Sequence, residues 1–423
     1  MVGRWPVAGL LVGAGPRPYP ARVTVDRLLA DLDAALRGGP PMIVGEPPER
    51  EVPMDAALVI RTSGSVSGRG RPVPLTTAEV TASVRATEAR LAGPGQWLLA
   101  LPAGHIAGLQ VLGRSILAGT TPVQLGSEET IADAVARLRT DVPRYASIVP
   151  TQLIRALSPA GRSDLEALAA LDAVLVGGSA VDPAAVAMAR ERGVHVVTTY
   201  GMTETAGGCV YDGVPLDGVE VRLEGGAVQL SGPMVTSGYL DDGPQPFTLT
   251  AGRRWFRTSD LGRCSDGRLE VLGRIDDVLI SGGVNVHPAA VERVIGEVDG
   301  VAGVCVVGRA SREWGTEIVA VVVPAADART PAGLLDTIRA RVKSAVGAAA
   351  APRVLFLRES LPLRGPGKVD RLAVAAWAAD ARPDASRGSR PPADVGGPGP
   401  ATCSPNHPVT PHRGCGWPGP RHR

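Results

Sequence analysis

Residues 1 to about 200 alternate short apolar runs with longer Ala-, Leu- and Arg-rich segments of helical period, and this alternation constrains the fold more than any other feature. Runs at 57–60, 97–101, 147–149 and 173–176 predict strands, and segments 77–91, 131–139 and 183–192 predict helices. Strands separated by helices pack best as an α/β layer structure around a mostly parallel sheet. From about 208 to 273 the pattern changes to short strands punctuated by glycine, at 219–223, 227–231, 254–258 and 268–271, which predicts a small β-rich subdomain. After Gly273 a compact unit follows, with strands at 278–280, 304–307, 318–323 and 353–357 and helices at 288–297 and 333–346. It reads as a separate small α+β domain of ordinary size. Beyond Pro383 the chain is rich in Pro, Gly, Arg and Ser and almost free of aliphatics. It cannot bury enough apolar area to offset chain entropy, so a disordered tail is expected. The resulting division is 1–273, 274–382 and 383–423.

Composition removes several classes of function. A net charge of +2, with Lys and Arg balanced by Asp and Glu, gives no electrostatic footprint for nucleic acid. No apolar run approaches the roughly 20 residues of a membrane span. Residues 5–15 form a short apolar stretch behind one Arg, read as a buried first strand rather than a cleaved leader, since no small-residue cleavage site follows. Five cysteines without metal-type spacing argue against a disulfide framework and suit a reducing cytoplasm. Aromatics are only 3%, so the core must be aliphatic and each Tyr or Trp stands out.

Four motifs carry chemistry. In Arg61-Thr62-Ser63-Gly64-Ser65-Val66-Ser67-Gly68-Arg69-Gly70-Arg71, small hydroxylated residues and glycines let backbone N–H groups approach phosphate oxygens. Arg69 or Arg71 would add positive charge for a departing pyrophosphate. The loop lacks the G-K-[ST] of a P-loop, and by itself it is also readable as a surface turn. In Tyr200-Gly201-Met202-Thr203-Glu204-Thr205, a tyrosine face can stack on a purine, Thr203 can bind a phosphate oxygen and Glu204 can hold magnesium. The plainer reading is a strand-to-loop turn with a solvated Glu. Arg257-Thr-Ser-Asp260-Leu-Gly and Gly273-Arg274-Ile-Asp276-Asp277-Val-Leu-Ile-Ser-Gly-Gly283 supply an Asp suited to a ribose diol and glycines suited to a hinge. Asp260 alone would also serve as a helix cap. Finally, Pro362-Leu-Arg-Gly-Pro-Gly-Lys368-Val-Asp-Arg371 places a lysine on a Gly/Pro loop, either solvated or able to swing onto a phosphate.

In this order and spacing the motifs resemble the adenylate-forming superfamily of acyl-CoA synthetases, firefly luciferase and peptide-synthetase adenylation domains, over about residues 55 to 375. The resemblance implies a large N-terminal domain that binds ATP and a small mobile C-terminal domain. Thr62 to Ser65, that is Thr62, Ser63, Gly64 and Ser65, would wrap the β- and γ-phosphates. Gly177, Gly178 and Ser179 would line the adenine, with Tyr200 against its face. Thr203 and Glu204 would hold the α-phosphate and Mg²⁺, and Asp260 and Arg274 the ribose hydroxyls. Asp276 would be the hinge between half-reactions. Lys368 would bridge the acid, the phosphate and the ribose oxygen during adenylation. Rotation would then bring Ser281 to Gly283 near a pantetheine tunnel, for attack by the coenzyme A thiol.

The stretch Leu101-Pro-Ala-Gly-His105-Ile-Ala-Gly-Leu-Gln110, with 147–153 and 175–179, resembles the o-succinylbenzoate–CoA ligases of menaquinone biosynthesis. That resemblance implies a small aryl dicarboxylic acid as substrate, oriented by His105 and Thr151; the plainer reading of His105 is a packed core histidine near the sheet edge. Two departures stand out: the phosphate loop is one residue longer than usual and has no lysine, and Gly104 stands where a second histidine often sits. Other expectations stay open beside the first: another aryl or fatty acid, a carrier-loading adenylation enzyme, or a degenerate acyl-adenylate-binding protein. The sequence also leaves a homodimer open.

Overall fold

A computed structural model describes residues 24–62, 70–325, 333–364 and 368–381, with two short strands, Arg4–Trp5 and Pro18–Tyr19. The expected tail therefore lies outside the described residues.

The central sheet has seven strands in the order Val214–Pro215, Gly207–Tyr211, Val196–Met202, Ala173–Gly177, Arg144–Ile148, Gln96–Leu99, Val123–Gln124. The last five run parallel, and the first two turn back antiparallel at one edge. Successive side chains feed opposite cores, as a strand's two-residue period requires. Trp97, Leu175 and Val197 enter one apolar cluster with helices Thr77–Arg90 and Ile106–Ala118. Leu98, Val174, Val176 and Val196 enter the other, with helices Ile131–Val135, Pro150–Leu157, Arg162–Ala169 and Pro183–Glu191. The expected helix at 131–139 stops at Val135 because its final turn tightens: Arg137 N–H donates to the Ala134 carbonyl (3.2 Å) and Leu138 N–H to that of Val135 (3.0 Å).

The 57–60 run is not in this sheet. It belongs to a second one, ordered Pro18–Tyr19, Met42–Val44, Ala56–Arg61, Pro72–Thr76, whose last pair is antiparallel. The Ser/Gly loop thus joins two antiparallel strands. Its base is closed twice: Thr62 N–H donates to the Arg71 carbonyl and Arg71 N–H to Thr62 Oγ1, both at 2.9 Å.

The β-rich subdomain is an antiparallel sheet of Glu220–Glu224, Ala227–Ser231, Phe247–Thr250, Arg253–Ser265 and Arg268–Arg274. The expected strand at 254–258 extends to 253–265 because it pairs with three neighbours along its length. The small domain has a sheet ordered Val284–Val286, Leu279–Ser281, Gly315–Pro324, Val301–Ser311, with Val354–Leu357 parallel to Gly315–Pro324. Helices Pro288–Gly296 and Leu334–Ala345 build one apolar core with this sheet, and helix Arg371–Asp380 builds a second. Just before that last helix, the hairpin Leu363–Arg364/Lys368–Val369 carries Lys368.

Where the central sheet turns back, a Cβ on Gly201 would lie 2.1 Å from the Gly207 carbonyl oxygen and 2.6 Å from the Gly208 Cα. Both are backbone atoms that cannot swing aside. Gly201→Ala is therefore expected to cost about 1–3 kcal/mol and to lower the thermal midpoint by several degrees. An unchanged melting curve by circular dichroism would contradict this packing.

Candidate active site

The strand Val196–Met202 shifts register between Tyr200 and Gly201 and ends in a tight turn, Thr203–Thr205. Thr205 fastens that turn: its Oγ1 accepts from the Met202 N–H at 3.0 Å and lies 2.7 Å from the Gly207 carbonyl. The next residue, Ala206, takes a left-handed conformation (φ 49°), and its carbonyl accepts from the buried Ser83 hydroxyl at 2.9 Å. Thr203 and Glu204 are buried, so the reading of Glu204 as a solvated turn residue does not hold. The Tyr239 O–H donates to Glu204 Oε1 at 2.6 Å, and the Thr236 N–H donates to the Glu204 carbonyl at 2.9 Å. Burial pushes the Glu204 carboxyl above the usual carboxylate range, opposed by the Tyr239 hydrogen bond and the charge of Arg71.

Asp260 sits within the long strand of the β-rich subdomain, directly across from Arg274, so it is not a helix cap. Arg274 Nη1 lies 3.6 Å from Asp260 Oδ1, and Nη2 lies 2.7 Å from Asp276 Oδ2. The Tyr200 O–H donates to Asp260 Oδ2 at 2.8 Å, joining the central sheet to the β-rich subdomain. Burial pushes Asp260 upward, against the Tyr200 hydrogen bond and the charges of Arg274 and Lys368. Gly177 and Gly178 end the neighbouring parallel strand. A Cβ on Gly177 would meet Thr199 Oγ1 at 2.1 Å, and Gly178 holds φ at 87°, so the backbone here must be glycine. Together with Ser179 they lie at the carboxyl end of parallel strands, where open α/β sheets place their ligands.

Lys368 comes to this cluster from the small domain. Burial pushes its ammonium below the ordinary lysine range, reinforced by Arg274 and resisted by Asp260 and Glu204. His105 belongs to the same neighbourhood: burial, then the charge of Lys368, lowers its pKa. It is half-buried at the N-terminal boundary of helix Ile106–Ala118 and not enclosed as a fully packed core histidine would be. Glu204, Asp260, Arg274, Lys368 and His105 thus act on one another electrostatically although they are far apart in sequence. Thr151 is in the first turn of Pro150–Leu157, and among the described residues no hydrogen bond joins its side chain to the cluster.

Thr62 stands at the base of the phosphate loop, whereas Ser63, Gly64, Ser65 and Arg69 lie outside the described residues. Arg71 is not poised as a mobile cation. Its guanidinium makes a bidentate pair with Asp241, donates to the Pro244 carbonyl at 2.6 Å and lies 3.6 Å over the Tyr239 ring. Sequence reasoning missed Tyr239, Asp241 and Ser83. Only Tyr239 left a signal, as one of five tyrosines in an aromatic-poor chain.

A nucleotide-type cleft at parallel strand ends, facing a lysine on a separate small domain, is the layout of an enzyme that adenylates its substrate. Residues 17–240 match the AMP-binding enzyme model and residues 290–368 match the AMP-binding enzyme C-terminal domain, so the chain belongs to the AMP-binding enzyme family. It is 42% identical over 377 residues, covering 84% of this chain and 96% of the relative, to a probable 2-succinylbenzoate–CoA ligase of Mycobacterium tuberculosis. Against the 2-succinylbenzoate–CoA ligase of Escherichia coli it is 34% identical over 234 residues, 53% of this chain and 49% of that one. Among solved structures, a substituted E. coli MenE with bound OSB-AMS superposes with a TM-score of 0.62 at 28% identity, covering 76% of this chain and 69% of that one. The amide bond synthetase McbA from Marinactinospora thermotolerans superposes at 0.65 with 28% identity, covering 80% and 75%.

A buried carboxyl with a raised pKa weakens the fold at neutral pH. The penalty is absent below the unfolded-state pKa, where both states are protonated, and grows as pH rises through the raised folded value. Glu204→Gln keeps an acceptor for Tyr239 and is expected to raise the thermal midpoint at pH 7 by about 2 °C. The gain should shrink as pH falls towards 4. A lower midpoint at pH 7 would contradict the assigned environment.

Proposed function

We propose that the chain is an AMP-forming acid–CoA ligase that converts 2-succinylbenzoate and ATP to an acyl-adenylate and then to the CoA thioester, a step of menaquinone biosynthesis. The observation that carries this reading is the convergence of Lys368 with Glu204, Asp260 and Arg274 at the sheet's carboxyl end, in a chain that is 42% identical to a probable 2-succinylbenzoate–CoA ligase nearly end to end.

A carboxylate attacking an α-phosphate brings two anions together, so preorganised cations and N–H donors must offset the developing charge, each worth a few kcal/mol. Lys368 is the cation set between acid, phosphate and ribose. Its burial strips water from the ammonium and strengthens its pull on anions. Thr203 holds an α-phosphate oxygen. Asp260 and Arg274 hold the ribose hydroxyls. Gly177, Gly178 and Ser179 line the adenine beside the Tyr200 ring, which its hydrogen bond to Asp260 keeps in place. Glu204, a hard oxygen ligand with one oxygen tied by Tyr239, would hold a magnesium ion, which would offset phosphate charge. Thr62 to Ser65 hold the outer phosphates.

His105 and Thr151 orient the acid. His105 is held towards the neutral form, and an incoming second carboxylate would draw a proton onto it, favouring a dicarboxylic substrate. The division at 273/274, with Asp276 as hinge, lets the small domain withdraw Lys368 and admit the thiol. Among the described residues no helix is long and apolar enough to cross a membrane. A cytoplasmic enzyme, with ATP and CoA at hand, completes the reading, and a homodimer is compatible with it.

ATP–pyrophosphate exchange over a panel of aryl and fatty acids, followed by CoA-ester detection, tests the reading. Exchange with 2-succinylbenzoate is expected, and exchange confined to another acid would overturn the substrate. Lys368→Ala should lower adenylation by about 100-fold or more while largely sparing thioester formation from supplied acyl-adenylate. Equal loss in both halves would remove the role given to Lys368. Adenylation in the native enzyme should also fade as pH rises through the depressed lysine pKa, below the free-lysine value of about 10.4. A plateau extending to that value would contradict the burial of Lys368.

A further inference from the structure

Arg371 opens the last helix, three residues after Lys368, and nothing in the chemistry above uses it. Its guanidinium makes two bonds to the Glu292 carboxylate (2.6 and 3.0 Å), donates to the Val306 carbonyl (2.5 Å) and lies 3.5 Å from Asp277 Oδ2. Glu292 Oε1 also accepts the Val306 N–H at 2.7 Å, so helix, sheet and guanidinium close into one ring. These contacts face two directions. Glu292 and Val306 belong to the body of the small domain, whereas Asp277 directly follows Asp276, which is bonded to Arg274 at 2.7 Å. On the other side, the Asp370 N–H donates to the Pro362 carbonyl at 2.8 Å and closes the base of the hairpin that carries Lys368.

We infer that Arg371 is the positioning residue that makes the hinge segment, the small-domain body and the lysine hairpin move as one rigid piece, so that the setting of the backbone at Asp276 fixes where Lys368 stands. Only a planar five-donor fork can hold Glu292, a carbonyl and Asp277 at once. A lysine has three donors on one compact centre and cannot make the bidentate pair with Glu292 while reaching Asp277. The side chain touches no reacting group. It acts on adenylation, the half-reaction that needs Lys368 in place, and this role rests on the reading of Lys368 given above.

The experiment measures pyrophosphate exchange and thioester formation from supplied acyl-adenylate separately, on the full chain, with folding checked by circular dichroism. Asp277→Asn removes only the hinge link and should lower exchange about tenfold while leaving thioester formation within about twofold. Arg371→Ala should lower exchange further, and Arg371→Lys should recover only part of it. Adding Asp277→Asn to Arg371→Ala should change nothing more, since both break one linkage. Equal losses in both half-reactions, full recovery with lysine, or additive effects would each overturn the inference. Should the native chain show no exchange with any acid, the functional reading fails on its own. Hydrogen exchange then decides this inference: Asp277→Asn should speed exchange of the Asp370 amide and leave the Val306 amide unchanged. No change at Asp370 would refute it. If Arg371→Ala does not fold, Asp277→Asn alone carries both measurements.

Discussion

Burial holds the carboxyls of Glu204 and Asp260 above the usual carboxylate range, and the neighbouring groups of the site compensate that cost. Burying like charges is costly unless each has hydrogen bonds and an opposite charge at hand. Tyr239 and Tyr200 supply the hydrogen bonds, and Arg274 and Lys368 supply the charge. The balance depends on the small domain being in place, because Lys368 comes from it. Lys368 is itself pushed down by burial and Arg274, so each charged form is held by groups that another segment delivers.

The phosphate loop shows how packing redirects a residue whose type is right for another task. Arg71 has the charge and sequence position to meet pyrophosphate, but Asp241 and the Tyr239 ring hold it beside the cleft. From there its field favours the ionised form of Glu204. An arginine stacked on tyrosine and paired with aspartate is a wall of the site.

Much of this was legible in the sequence because the chemistry sits in contiguous motifs. The Tyr200–Thr205 run, Arg274 and Lys368 each lie next to a glycine or a strand end, and Asp260 lies in the short Arg257–Gly262 motif, all local signals. What was not legible depends on pairing between distant segments. The strand holding Asp260 is long because three partners line it, and no local pattern encodes a partner. The 57–60 run looks like any buried strand, yet it entered a second sheet because the chain after Arg71 returns antiparallel. Tyr239 and Ser83 lie outside any motif and touch the site only through the fold. Arg371 was visible within a motif, but its contacts with Glu292, Val306 and Asp277 were not.

The central claim is that a cleft built by separated segments recognises an acyl-adenylate whose acyl group is a dicarboxylic aryl acid. Calorimetric titration with a sulfamoyl-adenosine analogue of the 2-succinylbenzoyl-adenylate, set beside the same analogue carrying plain benzoate, tests this most directly. Intermediate analogues bind 10²-fold or more tighter than substrates, so the first should bind at submicromolar concentration and the second about 100-fold more weakly. Equal affinity for the two analogues, or no binding of the first, would contradict the account.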